Sequence, residues 1–437
     1  MKIAVVLGTR PEIIKMAPVI SYILEQEDEC LIIHTGQHYD TQMSRQFFID
    51  LDLPIPDYNI GIGSKSALKQ ISIIIDELED ILESECVDIV LVQGDTNTVL
   101  AGAVASNKLK IPVGHVESGL RSFDKDMPEE INRILADDSS MLYFVPTNET
   151  GINLLNEAVD HDRIYVTGNT IVDACNRHKE IALKKSRLKD ELLFDDYIAL
   201  TMHRAENVDD NQRLSQIVDA ILDLEYNIVF PVHPHTKKSL VDAGLYESLV
   251  EAENIQITKP LGYLDFLYLL CGSRVILTDS GGVQEEAVTL NIPCVTLRYS
   301  TERPETVSCG ANILAGSTSV DIKKNITQIL EDEIVYESMS NAVNPYGDGE
   351  SSKKIYDVIK SYHDRGLLRI RKLNDITKFN GYHLYSISSD VTVREYEKTN
   401  RNSTIQQVFN SDGESEFITD DLELKNKTII VKEFEVN

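Results

Sequence analysis

Short runs of β-branched and apolar residues alternate with longer amphipathic stretches along most of this sequence, and the scheme occurs twice. Such alternation is typical of parallel strands joined by crossover helices. In the first half we predict strands at residues 3–7, 30–35, 89–93, 112–117, 142–145 and 163–166. In the second half we predict them at residues 197–202, 228–232, 255–257, 275–278, 293–296 and 311–314. The pattern indicates an α/β protein in which two Rossmann-like domains with parallel sheets face a cleft.

The length of the chain, 437 residues, exceeds what a single core usually holds and fits two α/β domains with an appendage. We predict an N-terminal domain at residues 1–170 and a C-terminal domain at residues 171–350. A helix within residues 351–370 is long enough to return to the first domain. Residues 371–437 are predicted to be an accessory tail, because apolar periodicity weakens there and Asn, Ser and Asp residues cluster.

The charge balance argues against some partners. The chain has 42 basic and 71 acidic residues, a formal net charge of -29, which repels phosphate backbones and anionic lipid headgroups. We therefore expect neither nucleic acid nor a membrane as a partner. The six cysteines are scattered without a CxxC spacing, as expected of free thiols. No stretch of about 18 apolar residues is present, so a cytoplasmic location is expected.

Small and polar residues directly follow seven of the predicted strands. In open parallel sheets ligands bind beyond the carboxyl ends of the strands, because helix N-termini and loop amides converge there. Turns alone do not require ionisable or amide-presenting groups at so many strand ends, so the sequence predicts a ligand site along this edge. The segments are residues 8–11, 36–38, 94–96, 117–119, 203–204, 233–234 and 279–282.

The first strand ends in GTRP and lacks the GxGxxG loop that binds a dinucleotide pyrophosphate. NAD is therefore not expected, and we predict no cofactor. Arg10 and Lys15 follow on the first helix and would bring positive charge to the cleft. A salt bridge at the entry of this helix is the structural alternative for both residues.

In the second half, a strand leads through two glycines into a helix, in the sequence VILTDSGGVQEEA. Gly281 and Gly282 would let backbone amides approach a diphosphate at the positive end of the helix, and Ser280 adds a hydroxyl donor. Glu286, one turn in, could accept hydrogen bonds from ribose hydroxyls. The alternative is that the residues before the glycines cap the helix and the two glutamates complement its dipole.

Three carboxylates near strand ends are candidates for proton transfer. Asp95 and Glu117 follow strongly apolar strands, so we expect partial burial to raise the pKa of both carboxyls. Glu129 has a structural alternative, because Pro128 suits the first turn of a helix and Asp126 could form a capping box with Glu129.

Histidines also follow strands of the second half. His203 closes one strand, and His233 and His235 follow its neighbour, which favours a site containing imidazoles over a purely structural role. Metal binding is the competing interpretation for His233 and His235. Because no further ligands are visible at a suitable spacing, we expect no metal.

Taken together, ten short motifs resemble those of the non-hydrolysing UDP-N-acetylglucosamine 2-epimerases, a family with the two-domain GT-B architecture. The resemblance covers residues 1 to about 365. The motifs are GTRPE (8–12), GQH (36–38), GDT (94–96), HVESGLR (115–121), PEEINR (128–133), GN (168–169), HRAEN (203–207), TDSGGVQEEA (278–287), TERPE (301–305) and NPYGDG (344–349).

The resemblance implies an epimerase that inverts carbon 2 of a UDP-linked amino sugar by eliminating UDP to a glycal and adding it back. A homodimer and a UDP-binding second domain are also implied. The implied catalytic residues are Asp95, Glu117, Glu129 and His203. The implied substrate-binding residues are Arg10, Lys15, Phe266, Ser280, Gly281, Gly282, Glu286 and Arg303.

Two positions depart from the family pattern. Leu261 stands where a polar residue is often found, which puts a contact to the base in doubt. Residues 63–70 also differ from the expected glycine and glutamine pattern, near positions that hold an activating second UDP-sugar in bacterial relatives. We therefore hypothesise that this activation is absent or altered here.

Three other functions remain open from the sequence. A GT-B glycosyltransferase would use the same diphosphate site but needs an acceptor groove and fewer carboxylates. A non-catalytic UDP-sugar sensor would bind without turnover. A hydrolysing epimerase would release UDP and free N-acetylmannosamine.

Overall fold

The computed structural model describes residues 1–36 and 41–369, together with residues 382–387, 393, 403–409, 415–416, 423 and 427–433. It divides into two compact units. The larger unit comprises Met1–Asn153 and Ile164–Leu368, and the smaller one comprises Leu154–Arg163 and Arg369–Asn437.

The first sheet of the larger unit consists of β1 (Lys2–Leu7), β2 (Glu29–His34), β3 (Tyr58–Asn59), β4 (Ile89–Gln93), β5 (Val113–Val116), β6 (Leu142–Val145) and β7 (Ile164–Val166). The strands pair in parallel in the order β3-β2-β1-β4-β5-β6-β7. Ile3 and Val5 pack in the core on one face, whereas Ala4 and Val6 pack on the other. Burial on both faces explains the continuous apolar runs that predicted these strands. The two-residue β3 was not predicted, because it is too short to show a period.

The second sheet consists of β8 (Ile198–Thr201), β9 (Ile228–Pro231), β10 (Ile255–Thr258), β11 (Val275–Thr278), β12 (Cys294–Thr296) and β13 (Asn312–Leu314). It is also parallel, in the order β10-β9-β8-β11-β12-β13. All six strands were predicted to within one or two residues at each end. The prediction of two parallel sheets in an α/β fold is therefore confirmed.

Helices follow most of the strands and cover the faces of the sheets. The helices are α1 (Arg10–Glu25), α2 (Thr41–Asp50), α3 (Ala67–Glu85), α4 (Asn97–Lys108), α5 (Pro128–Ser139), α6 (Asn148–Asn156), α7 (Thr170–Lys185), α8 (Ala205–Val208), α9 (Asn211–Asp223), α10 (Pro234–Asp242), α11 (Tyr246–Glu251), α12 (Tyr263–Gly272), α13 (Gly281–Thr289), α14 (Pro304–Ser308), α15 (Ser319–Glu331), α16 (Glu333–Ser340) and α17 (Ser351–Asp364), with 3-10 turns at His161–Arg163 and Leu188–Asp190. Within the described residues, no helix is long and apolar enough to cross a membrane.

Helix α17 returns to the first half, as predicted. Ile355 and Ile359 pack in the same core as Met16 of α1. Its first turn is held by the buried carboxylate of Asp173 on α7, which accepts the backbone N–H of Ser352 at 2.8 Å. This carboxylate satisfies amides that a helix start otherwise leaves without partners.

The two chain crossings between the halves touch each other. The N–H of Asn169 donates to the carbonyl of Tyr346 at 2.8 Å. Gly168 has a φ of +87°, and a Cβ there would lie 2.5 Å from the same carbonyl oxygen, so only glycine fits. The GN and NPYGDG motifs therefore form this crossing. The domain boundaries at residues 170 and 350 stay predictions.

The smaller unit contains a four-stranded antiparallel sheet. Its strands are β14 (Tyr382–Ile387), β15 (Ser403–Phe409), β16 (Ser415–Glu416) and β17 (Lys427–Glu433), in the order β14-β17-β15-β16. The sequence indicated only isolated strand-like pieces in this tail. The sheet was not predicted because the apolar periodicity weakens in this tail and its strands are flanked by clusters of Asn, Ser and Asp residues.

Candidate active site

Four charged side chains from the two halves of the larger unit form one buried cluster. Nζ of Lys15, on α1, donates to the two carboxylate oxygens of Glu117 at 2.8 and 2.9 Å. The same ammonium lies 3.2 Å from Oε2 of Glu285 on α13. Nε of Arg303, just before α14, donates to Oε1 of Glu285, and its Nη2 lies 3.7 Å from Glu117. Each cation therefore contacts both carboxylates.

Two amides complete the cluster. Nδ2 of Asn169, at the chain crossing, lies 3.5 Å from Oε1 of Glu117 and 3.3 Å from Oε1 of Glu285. Nε2 of Gln93, at the end of β4, donates to Oε2 of Glu117. Lys15 was predicted from its position on the first helix and Arg303 from the family resemblance, whereas Glu285 was named only in the alternative in which it complements the helix dipole. In the structure, the Glu285 carboxylate is buried between two cations.

The prediction that partial burial raises the pKa of Glu117 is wrong. Burial raises the pKa of this carboxyl, but the adjacent charges of Lys15 and Arg303 and the hydrogen bond from Gln93 outweigh burial and lower it overall. Glu117 is therefore ionised near neutral pH. Its backbone φ is +66°, a conformation that non-glycine residues rarely adopt and that is concentrated at functional sites.

Asp95 behaves as expected. Burial raises the pKa of its carboxyl, and the nearby charge of Glu117 raises it further, against the opposing effect of Arg133. Arg133 on α5 donates to Oδ2 of Asp95, and Asn132 donates to its backbone carbonyl at 3.0 Å. Asp95 is consequently a carboxyl held in place by α5 and able to exchange a proton more readily than an exposed one.

The loop before Asp95 depends on His115, which sequence reasoning did not single out. His115 is fully buried in β5. Its Nε2 lies 2.8 Å from the carbonyl of Gly94 and its Nδ1 lies 2.6 Å from Oδ1 of Asp137. Burial lowers the pKa of His115, but the charge of Asp137 and the hydrogen bonds with Asp137 and Gly94 outweigh burial and raise it overall.

Glu129 lies in the first turn of α5 and is exposed. It precedes Arg133 by four residues, so it lies on the helix face that turns toward Asp95. The capping box with Asp126 does not form, because α5 begins at Pro128 with Met127 as its N-cap.

The backbone of His203 is fixed by a buried acid. Asp279, fully buried after β11, accepts the backbone N–H groups of His203 (3.1 and 3.0 Å) and Arg204 (2.9 Å). Its Oδ1 also lies 3.3 Å from Nδ1 of His203. Partial burial lowers the pKa of His203 despite this carboxylate. The imidazole is thus mainly neutral at pH 7.

The other two histidines of this region have structural roles. Nδ1 of His233 accepts the backbone N–H of His235 at 3.3 Å and so caps α10. Nε2 of His235 lies 2.8 Å from the Asp209 carboxylate. In the described part of the chain, the only group of three ligand-type side chains within reach of one ion is Asp160, His161 and Asp162, which includes neither of these histidines.

The N-terminus of α13 has the features predicted for a diphosphate site. Ser280 is its N-cap, but its side chain makes no capping hydrogen bond, and the first turn contains no acidic residue. A Cβ added to Gly282 would meet no atom within 4 Å. The alternative, in which Asp279 or Ser280 caps this helix, is not realised, since Asp279 binds the loop after β8 instead.

Glu286 is buried one turn into α13. Burial and the neighbouring charge of Glu285 raise the pKa of its carboxyl to about 8. The group is therefore largely protonated at pH 7, so that it can both donate and accept hydrogen bonds.

The remaining predicted binding residues are Arg10 and Phe266, which differ in exposure. Arg10 is exposed at the start of α1, with its guanidinium carbon 5.7 Å from the centre of the Phe47 ring. Phe266 on α12 is half-buried. Glu12 was not singled out, yet its carboxylate accepts the backbone N–H of Gly8 at 2.5 Å, and burial raises its pKa to about 7.

The structure describes both places where the sequence departs from the family pattern, Leu261 and residues 63–70. Leu261 is partly buried and packs against the core on the face of the second sheet that bears Val229 and Ile276. In the segment 63–70, Gln70 is buried and its Oε1 accepts Nδ2 of Asn97 at 2.8 Å. Gln37 and His38 of the GQH motif lie outside the described residues, so the hypothesis of altered activation stays a prediction.

Two parallel sheets with acids, cations and a bare helix N-terminus in one cleft define an enzyme of the GT-B architecture. A family model described as UDP-N-acetylglucosamine 2-epimerase matches residues 23–360. The UDP-N-acetylglucosamine 2-epimerase of Methanocaldococcus jannaschii is 47% identical over 367 residues, covering 82% of this chain and 99% of that protein. The chain therefore belongs to the UDP-N-acetylglucosamine 2-epimerase family.

Two further proteins support this assignment. A crystal structure of the M. jannaschii enzyme in complex with UDP-GlcNAc and UDP matches with a TM-score of 0.72 and 46% identity, over 83% of this chain and all of that one. The UDP-2,3-diacetamido-2,3-dideoxy-D-glucuronate 2-epimerase of Pseudomonas aeruginosa is 39% identical over 365 residues, covering 82% of this chain and 99% of that protein.

Proposed function

We propose that this protein interconverts UDP-N-acetylglucosamine and UDP-N-acetylmannosamine by inverting carbon 2, without hydrolysis. The observation that carries the proposal is the position of two carboxyls, the half-buried Asp95 and the buried Glu117, in the same cleft as the uncapped N-terminus of α13. Proton transfer and diphosphate binding can then act on one substrate molecule.

The chemistry explains why both features are needed. The hydrogen on carbon 2 is not acidified by a carbonyl group, so direct deprotonation would be prohibitively slow. Removal of that proton together with departure of UDP from carbon 1 gives a 1,2-unsaturated sugar, the glycal. Protonation of carbon 2 on the opposite face and re-addition of UDP to carbon 1 then complete the inversion.

The carboxyls differ in a way that suits two proton transfers. Glu117 is held ionised by Lys15 and Arg303 and can accept a proton. Asp95 has a raised pKa and can donate one. Either acid reverses its role when the substrate is the opposite epimer, as microscopic reversibility requires. Glu129, on the α5 face that bears Arg133, is proposed to assist this exchange.

Binding of the diphosphate is assigned to the second half and to α1. The free amides of Gly281 and Gly282 and the hydroxyl of Ser280 would contact the phosphates at the positive end of α13. Arg10, Lys15 and Arg303 would neutralise the charge that develops as UDP departs, and the neutral imidazole of His203 would contact the departing UDP. Glu286 would bind the ribose hydroxyls, and Phe266 would contact the nucleoside.

The test is proton NMR of the protein with UDP-N-acetylglucosamine in heavy water. The proposal requires UDP-N-acetylmannosamine to appear with deuterium at carbon 2. Release of free N-acetylmannosamine would indicate the hydrolysing reaction, and transfer to an added acceptor would indicate a glycosyltransferase; either result would replace the proposal. Retention of protium at carbon 2 would exclude a proton-transfer mechanism.

A cytoplasmic location and a homodimer are further parts of the proposal. Ile131 and Leu135, one turn apart on α5, expose 39% and 43% of their surface, and a second copy of the chain would cover them. Analytical ultracentrifugation tests the proposed homodimer. The wild type should sediment as a dimer and Ile131→Glu as a monomer, whereas a monomeric wild type would exclude the homodimer.

A further inference from the structure

Glu285 is a buried carboxylate for which the proposed reaction, as described so far, has no role. It exposes 1% of its surface. Its Oε1 accepts Nε of Arg303, while its Oε2 approaches Lys15 at 3.2 Å without making a hydrogen bond. A buried carboxylate paired with cations is often no more stabilising than apolar residues of similar volume, so stability alone does not explain why a carboxylate occupies this position.

Glu285 and Glu117 share the same three donors. Lys15, Arg303 and Asn169 each lie between the two carboxylates, at distances up to 3.7 Å. The cluster contains two positive and two negative groups and therefore has no net charge. A gain of either cation by one carboxylate is a loss for the other.

This sharing matters because Glu117 is the proposed proton acceptor. A carboxylate that holds two cations to itself binds a proton weakly and is a poor base. Other groups near the cluster do not replace Glu285: Asp95 is paired with Arg133, and burial keeps Glu286 largely protonated at pH 7.

We propose that Glu285 is a positioning residue for the proton-transfer step, which shares Lys15 and Arg303 with Glu117 and so keeps Glu117 a competent base. This inference rests on the proposed epimerase function. It predicts that loss of the Glu285 charge weakens catalysis and strengthens binding of the anionic diphosphate, because both cations are then less neutralised.

The experiment compares Glu285→Gln with the wild type, using UDP-N-acetylglucosamine and its carbon-2 deuterated form. We expect kcat to fall about tenfold, as for a base weakened by about one pKa unit. The primary isotope effect should increase, and the inhibition constant of UDP should decrease. A variant damaged only in structure would bind UDP more weakly. Glu285→Asp, which retains the charge, should recover most of kcat.

Glu85→Gln is the matched control. Glu85 pairs with Lys2 at the first residue of β1, whereas the proposed site follows the last residues of the strands. Loss of the Glu85 charge should therefore leave kcat, the isotope effect and UDP inhibition unchanged. A wild-type kcat in Glu285→Gln, or weaker UDP inhibition, would overturn the inference. A wild type that exchanges no carbon-2 hydrogen would instead overturn the proposed function.

A charge-balanced double variant makes the test independent of the folding of Glu285→Gln. Glu285→Gln combined with Lys15→Gln removes one charge of each sign, which avoids an unpaired buried cation. Glu117 then holds Arg303 to itself, whereas in Lys15→Gln it still shares Arg303 with Glu285, so kcat of the double variant should fall below that of Lys15→Gln. A double variant as fast as Lys15→Gln would contradict the inference.

Discussion

Nδ1 of His203 lies 3.3 Å from Oδ1 of Asp279, and the backbone N–H of His203 donates to the same carboxylate. Asp279 also accepts Nδ2 of Asn207 at 3.2 Å. A single buried acid thus orients the histidine, the following backbone and the start of the HRAEN segment. It connects the end of β8 to the end of β11, whose continuation is the proposed diphosphate site.

Asp279→Asn should therefore impair both stability and catalysis. The amide would direct a donor toward groups that are themselves donors, which costs about 1–3 kcal/mol in the free energy of unfolding. His203 would lose its orientation, so kcat should fall about tenfold or more. Urea denaturation and steady-state kinetics measure the two effects. Asp210→Asn is the control, because asparagine caps α9 as well as aspartate does; equal effects of the two variants would contradict the role of Asp279.

Gly282→Ala should separate binding from folding. A Cβ at this position meets no protein atom within 4 Å, so the methyl group would project into the space assigned to the diphosphate. We expect the melting temperature to change by less than about 2 °C and the KM for UDP-N-acetylglucosamine to rise at least about tenfold. Gly151→Ala, whose Cβ would make ordinary contacts at 3.6 Å, should leave KM unchanged. An unchanged KM in Gly282→Ala would place the diphosphate elsewhere.

The strands could be predicted because their residues are buried on both faces. β1 and β11 read as unbroken apolar runs, and a parallel sheet places the residues that follow such runs along one edge. This reasoning located Asp95, Glu117 and His203. It could not detect β3, which has two residues, or the tail sheet, whose pairing joins strands separated by long polar segments.

The buried charges were harder to predict. Glu285 and Glu286 are adjacent in the sequence, and either one suits the dipole of α13 equally well. Only the fold shows that Glu285 pairs with Lys15 from the other half, whereas Glu286 forms no salt bridge with the described residues and is largely protonated. The pKa of Glu117 was mispredicted for the same reason, because Lys15 is separated from it by 102 positions.

Glu286→Gln should stabilise the protein at high pH while weakening nucleotide binding. The pKa of this carboxyl rises from 4.5 to about 8 on folding, so the folded chain retains a proton that the unfolded chain releases. The group therefore lowers stability progressively as the pH rises from 4.5 to about 8. We expect the variant to gain on the order of 4 kcal/mol at pH 8 and less than about 1 kcal/mol at pH 5.

Denaturant unfolding at both pH values, with Glu79→Gln on the exposed face of α3 as the control, measures this gain. Calorimetry at pH 9, where the Glu286 carboxyl is largely ionised, should show UDP binding weakened about tenfold in the variant, since one acceptor for the ribose hydroxyls is lost. A gain that is the same at pH 5 and pH 8 would show that the Glu286 carboxyl is not the source.

Truncation after Arg369 should leave catalysis intact. The proposed catalytic and binding residues belong to the larger compact unit, and the M. jannaschii epimerase aligns over 99% of its own length with only 82% of this chain. We expect kcat and KM to stay within about twofold of the full-length values, because the cores around both parallel sheets are retained. Stability should fall instead, since Leu154–Arg163 belong to the same unit as the tail. Thermal unfolding and carbon-2 exchange, measured on the same preparation, distinguish a loss of stability from a loss of catalysis. A tenfold loss of kcat in a truncated protein that remains folded at the assay temperature would show that the tail takes part in catalysis.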